Sequence, residues 1–470
     1  MKNLIFKAAS KKQISRFRSL FVTTTLVLCS ASCSDFVEVP LPNSQLTGTT
    51  VFESNLTANA AMAQVYIQLR DGGILTGLAT GSSVNMGLYA DELQDYTTST
   101  VSQPIYNNAL TEDNATVLTL WRNSYSQIYN VNSILAGLSN ATQLSETVRS
   151  QLRGESLFVR ALVHFYLMQI YGNIPYITST DYMVNSQVTR QSSTVVYNAI
   201  TTDLQEAIAL LSEEYVSSDK ARPNKIAARA LLARVYLYRG LNEEAANEAS
   251  AVINSPLYTW ENNLNNVFLR NSTTTIWQFA SATSVRNSNE GATFIFVSGP
   301  PPLCALRQDF INSFEIGDQR KLLWTKSVTS GGNTWYHAFK YKLRTATSAS
   351  QEYSVVLRLA EQYLIRAEAR AKQGDLIGAK NDIDKIRTTA GLPATTATTE
   401  TQLLAEIQKQ RRFELFTEYG HRFFDLKRSG TTDAVLSTAK PGWNTTDVLW
   451  PIPETELNAN PNLLPQNPGY

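Results

Sequence analysis

Apolar positions return every three or four residues through the middle of the chain, and between those stretches the period is lost. The clearest periodic segment is 226–253, which predicts two consecutive helices joined at Gly240. Ala233, Tyr236, Gly240 and Ala245 fall at tetratricopeptide spacing. In that pattern a small residue lets two helices approach, an aromatic fills the gap beside it, a glycine turns the chain and a small residue opens the second helix. The same offsets return at 359–386 in Ala367, Gly374, Ala379 and Ile386, with Arg370 where the first copy has its aromatic. Segments 146–171 and 194–212 carry helical spacing too, and 53–70 with 117–138 predict a further helical pair near the start. Such pairs cannot bury their faces alone and must stack. The predicted fold class is therefore mainly α: a tetratricopeptide-like helical-repeat scaffold with long irregular loops and a few short strands.

The loops are residues 71–116 and 255–353, rich in Asn, Ser, Thr, Gly and Pro, with short alternating runs at 274–279 and 352–357 that predict strands. Loops of this length are functional or disordered, and their aromatics argue against disorder. Tyr89, Tyr96 and Tyr106 lie in the first; Tyr258, Trp260, Trp277, Trp324, Trp335 and Tyr336 lie in the second. Rigid helices carrying polar, aromatic loops suit a binding protein. Sugar rings expose apolar C–H faces that stack on Trp and Tyr, while amide and guanidinium groups satisfy the hydroxyls. The candidate ligand-binding residues are Tyr96, Tyr106, Asn107, Trp324, Trp335 and Tyr336. Trp121 and Tyr125, at helical spacing, read as core.

The two ends add a compartment and an anchor. Residues 1–32 hold six basic residues and no acid, and an apolar run from Leu20 to Cys29 precedes Ser30-Ala31-Ser32-Cys33. A basic stretch, a short apolar run and small residues before a cut site make a secretory signal, too short to span a bilayer. Cleavage before Cys33 would leave an acylated cysteine as a lipid anchor, although Ser30 stands where a lipoprotein signal ordinarily has an aliphatic residue. The predicted mature chain is a single domain from residue 33 to 470. The formal charge of +1 over the whole chain becomes 35 basic against 40 acidic residues after position 32. That balance speaks against nucleic acid. Of three cysteines only Cys304 is left as a free thiol, so the mature fold has no intrachain disulfide. Residues 449–470 contain five prolines together with Trp450, Ile452, Leu457 and Tyr470. They read as an ordered strap, neither helix nor frayed tail, anchored by its aromatic ends.

Signals of catalysis are absent where they would be expected. The three histidines are His164, in an apolar helix and read as packed; His421, in a charged helical run; and His337, in the second loop without an evident partner. No metal-ligand pair at helical spacing, nucleophile elbow or phosphate-binding glycine loop is present, and no cofactor is implied. Arg411, Arg412, Glu414, Glu418, Arg422 and Asp425 are expected to pair with one another along the last long helices. Arg366 and Glu368 are read as packing and helix-surface charge.

Four stretches carry a family resemblance. They are the tail Trp450-Pro-Ile-Pro-Glu454 through Gln466-Asn-Pro-Gly-Tyr470; the run Arg160 to Tyr176, which leaves its helix at Gly172; Ile365-Arg-Ala-Glu-Ala369 through Gly391-Leu392; and Gln408 to Arg428. Together they resemble the SusD/RagB family of outer-membrane nutrient-binding lipoproteins. Gln410 stands where the family has Glu, and Tyr419 interrupts its Glu-Gly pair, both in a segment that is structural in the family. The resemblance implies a surface protein that captures oligosaccharides without chemistry and passes them to a SusC-like TonB-dependent transporter, for which it serves as lid. The alternatives are a peptide-capturing lid, a surface glycoside hydrolase using two carboxylates, and a tetratricopeptide adaptor for a protein segment. The leader and the aromatic loops argue against the adaptor.

Overall fold

The computed structural model describes residues 50–470. The leader, Cys33 and the start of the predicted domain lie outside the described residues. Among the described residues, nine helices of twelve residues or more build the scaffold: α1 (Asn55–Asp71), α2 (Ala115–Ser139), α3 (Glu146–Tyr171), α4 (Ser193–Leu210), α5 (Lys225–Arg239), α6 (Asn242–Ile253), α7 (Leu359–Lys372), α8 (Leu376–Thr389) and α9 (Glu400–Leu415). Their starts are locally encoded. Ser54, Asn114, Ser145, Ser192, Asn224 and Asp375 each accept a backbone N–H of the first turn, and Thr399 forms a reciprocal capping box with Gln402. Gly240 and Gly374 turn the chain at φ of 75° and 84°, a region where a side chain is strained.

From α2 onward each scaffold helix packs on the next, so the helices form one continuous stack. Helix α3 is its centre: every residue from Gly154 to Tyr171 is buried. Inside that core Arg160 donates to both Asp203 carboxylate oxygens at 2.7 Å, and Arg234 to both of Glu361 at 2.6 and 2.7 Å. Helix α6 packs directly on α7, although the chain leaves the stack at residue 253 and returns only at 359. The second loop is thus an insertion between neighbouring repeats. Its base is closed by β2 (Thr275–Phe279) paired antiparallel with β6 (Ser354–Arg358), close to the strands expected at 274–279 and 352–357.

The loops are more structured than their composition implies. The first contains a buried helix, Ser82–Tyr89, and a short one, Ser102–Tyr106; the second contains Asn289–Phe294, Gln308–Asn312 and Gln319–Trp324. A four-stranded antiparallel sheet joins the two insertions in the order β1 (Leu93–Asp95), β3 (Cys304–Leu306), β5 (Asn333–Ala338), β4 (Thr325–Ser330). The Gly331-Gly332 turn between β4 and β5, both with positive φ, is the hairpin signal that composition hid.

The strap lies across the folded scaffold as expected. Trp450 and Ile452 are fully buried, the Trp450 amide donates to the Ile170 carbonyl at 2.9 Å, and the half-buried Tyr470 donates its hydroxyl to the Leu449 carbonyl at 3.1 Å. One expectation for it fails. Glu454–Ala459 is helical, because Pro453 stands just outside the first turn and Glu454 and Glu456 complement the helix N-terminus.

The charged residues also differ from expectation. Only Arg411 and Asp425 pair within the run; Arg412 and Arg422 both take Asp91, and Glu414 and Glu418 take Arg358. Arg366 pairs with Asp382 and Glu368 with Arg428, all buried or nearly so and not on the helix surface. These partners come from other elements, and a buried charge left without a partner costs far more than an exposed one.

Candidate functional site

The four-stranded sheet positions the exposed aromatics. Strand β1 delivers Tyr96, whose amide donates to the Leu303 carbonyl at 3.0 Å beyond the end of β3. Asp95 organises the turn that follows, accepting from the Thr97 amide and the Ser102 hydroxyl, both at 2.8 Å. Strand β5 delivers Trp335. Its indole meets the Tyr96 ring edge to face, with centroids 6.3 Å apart and planes at 88°. Gly299 lies flat against the same indole: a Cβ there would come within 2.0 Å of it, so only glycine fits. Tyr106, at the end of the short helix Ser102–Tyr106, completes the group. Burial pushes the Tyr96 phenol up, the Trp335 indole acting against that shift and the Tyr106 phenol adding to it. All three side chains remain partly exposed.

Basic groups frame the cluster. Lys440 Nζ sits 3.9 Å from the Tyr106 ring centroid and donates to the Leu88 carbonyl at 2.5 Å. Burial lowers its pKa to about 7. Arg307, at the end of β3, is held by Asp309 through bonds of 2.9 to 3.2 Å. Sequence reading missed Lys440, Arg307 and Gly299, since nothing local marks a lysine, an arginine or a glycine as belonging to an aromatic group elsewhere in the chain. Asn107, next to Tyr106, is exposed with its amide toward Gln103 at 3.4 Å.

Two candidates are not part of this cluster. Trp324 is fully buried; its indole N–H donates to the Leu264 carbonyl at 2.9 Å and its ring packs on Phe268 at 5.5 Å. It has no face to offer a ligand. Tyr336 follows Trp335 along β5, and strand alternation turns it to the opposite face of the sheet, where it packs against the core. Of the other loop aromatics, Tyr89 and Trp277 are fully buried and Tyr258 nearly so. Trp121 is core, as expected. Tyr125 is half-buried and shares with Tyr129 a cleft of about 440 Å³ beside the strap.

The histidines are structural. His164 Nδ1 donates to the Arg160 carbonyl at 2.8 Å and Nε2 accepts the Ile177 amide at 3.1 Å, as its packed reading requires. His337 is buried beside Phe296, and His421 lies among Arg234, Arg411 and Arg358; burial lowers the pKa of all three. Among the described residues no group of three His, Cys, Asp or Glu could hold a metal ion, and no helix is long and apolar enough to cross a membrane.

A family profile described as starch-binding and associating with the outer membrane matches residues 42–237, and the SusD family profile matches residues 320–470. The chain belongs to the SusD/RagB family. A SusD-like protein, P25, of Formosa agariphila is 25% identical over 97% of this chain and 100% of its own. The starch-binding protein SusD of Bacteroides thetaiotaomicron is 26% identical over 69% of this chain and 74% of its own. A laminarin-binding SusD-like protein superposes with a TM-score of 0.74 at 24% identity, covering 88% of this chain and 99% of that one. The mainly helical SusD fold is thus shared.

Proposed function

We propose that this SusD-family protein captures oligosaccharides at the cell surface, without turning them over, on the platform made by Tyr96, Tyr106 and Trp335. The observation that carries the reading is the convergence of the two insertions: a four-stranded sheet holds two aromatic rings edge to face, each partly exposed, on a surface rich in amides and hydroxyls. Partly exposed rings offer stacking faces to sugar C–H groups at little entropic cost. In this reading Asn107 and Arg307 meet the sugar hydroxyls. The names of the starch-binding and laminarin-binding relatives support a glucan as the first ligand to try. In this proposal the protein is anchored in the outer membrane through acylated Cys33, and hands its ligand to a SusC-like TonB-dependent transporter.

Calorimetry with laminarin and starch oligosaccharides tests the platform. Trp335→Ala is expected to weaken binding about tenfold, the loss of one good stacking contact of about 1.4 kcal/mol, with the melting temperature little changed. Trp324→Ala should do the reverse, costing about 3–5 kcal/mol of stability while any protein that folds keeps its affinity. Equal binding by Trp335→Ala would overturn the platform. Released reducing ends would make the protein a hydrolase, and binding of peptides in place of glycans would make it a peptide-capturing lid.

The anchor has its own test. Labelled fatty acid should enter the mature protein, and Cys33→Ala should abolish the label and release the protein from the membrane fraction. Undiminished labelling of that variant would remove Cys33 from the proposal.

A further inference from the structure

A second cleft, of about 730 Å³, opens beside the strap between the end of α3, the start of α4 and residues 449–468. It shares no residue with the aromatic platform. Its lining holds three cations, Arg190, Lys427 and Arg428, and neither aspartate nor glutamate. Arg428 is already neutralised by Glu368 and Asp425. The other two are not. Arg190 donates to the Asn173 carbonyl at 2.8 Å, the Pro465 carbonyl at 2.6 Å and the side-chain oxygen of Asn467, all neutral acceptors. Lys427 donates to the Gln169 carbonyl at 2.6 Å and, among the described residues, meets no carboxylate. A lysine ammonium has three donors, and one is used here.

Two half-buried cations facing one concavity without a counter-charge are partly desolvated, at a cost that nothing in the lining offsets. The cost falls if an anion enters. Burial alone brings the Lys427 pKa down to about 7, and an anion beside it would restore the charge. The remaining lining is suited to an organic body. Asn173, Ser193, Asn462 and Gln466 supply neutral donors and acceptors, and Tyr197 adds a half-buried ring. The volume lies within the range of about 300–1,000 Å³ common to small-molecule sites.

We propose that this cleft is a second binding site, for a small oxyanion-bearing ligand such as a sugar carrying a carboxylate, with Lys427 and Arg190 meeting its charge. It is independent of the aromatic platform and of what the platform binds.

Titration calorimetry on the full chain, at constant ionic strength, tests it with sodium glucuronate, glucose and sodium sulfate as probes. Glucuronate should saturate and glucose should not. Lys427→Met and Arg190→Gln should each weaken glucuronate about tenfold or more, the loss of one charge-assisted bond. Lys427→Arg should stay near the parent, and Trp335→Ala should leave the affinity unchanged, which separates this site from the platform. Sulfate binding as tightly as glucuronate would support the oxyanion site with a free ion as its occupant. The proposal is overturned if glucuronate gives no more heat than sodium chloride, if glucose binds equally well, or if both charge-removing variants bind as the parent does.

Discussion

Arg358→Ala should lower the folding free energy by about 3–5 kcal/mol, the usual result of removing one partner from a buried ionic network. It should appear as a large fall in the urea midpoint near neutral pH. Arg358 ends β6 and is almost wholly buried. Its guanidinium donates to Glu418 at 2.9 Å, to the Glu414 carboxylate at 2.7 Å and to the Glu414 carbonyl at 2.8 Å. Lys340, just beyond β5, reaches Glu418 and the carbonyls of Glu414 and Phe416, and Arg320 reaches Glu414 at 3.2 Å. These contacts fasten the second insertion to the end of α9. Truncating Arg358 leaves two carboxylates under-compensated where water cannot reach them. A midpoint equal to the parent's would show that they relax into solvent and that the network does not secure the insertion.

The same network sets an acid limit. Burial opposes the charge on Glu418, but Arg358 and Lys340 outweigh it and hold the carboxyl below its usual range. The folded state therefore takes up a proton less readily than the unfolded one. The resulting stability is complete above the unfolded carboxylate pKa and is lost as pH falls through the lower folded value. Arg358→Ala should make this part of the acid loss smaller, an effect visible as a flatter dependence of the urea midpoint on pH in that window.

Trp450→Ala carries the second large effect, again about 3–5 kcal/mol. The indole is fully buried and packs edge to face on Tyr89 at 5.5 Å and Tyr171 at 6.5 Å. Beside it, Asn467 donates to the carbonyls of Tyr171 at 2.9 Å and Trp450 at 2.6 Å, which ties the far end of the strap to its start. Removing the indole leaves a cavity under both, so the strap should also become open to a C-terminal protease. A parent-like unfolding midpoint together with an uncut C-terminus would show that Trp450 is not the anchor.

The helical stack was legible because its signals are local. Gly240, Gly374 and the capping residues act on groups within a few positions of themselves, and the apolar period reports which face is covered without naming the cover. The candidate site was legible only in part, for a reason visible in three of its residues. Tyr96, Trp324 and Trp335 look alike in sequence, as aromatics in polar loops. Tyr96 follows a three-residue strand, Trp324 ends a short helix with its ring in the core, and Trp335 lies in a hairpin whose exposed face is polar. Three-residue strands such as β1 and β3 carry no measurable alternation, and Asn-Thr-Trp-Tyr-His-Ala in β5 does not alternate polar with apolar, so neither the sheet nor the faces it assigns could be read from the chain.

By itself the amino-acid sequence determined the mainly helical repeat architecture, the burial of the strap at Trp450 and Ile452, and the family. Each rests on spacing within one element or on a continuous motif. The tertiary structure alone decided that Tyr96 meets Trp335, that Trp324 is core and Tyr336 faces away, that Arg358 rather than a helical neighbour holds Glu414 and Glu418, and that Arg190 and Lys427 share a cleft without an acid. Those outcomes depend on pairings between residues far apart in the chain. Their energy comes from burial and from long-range hydrogen bonds that exist only once the insertions have closed onto the stack.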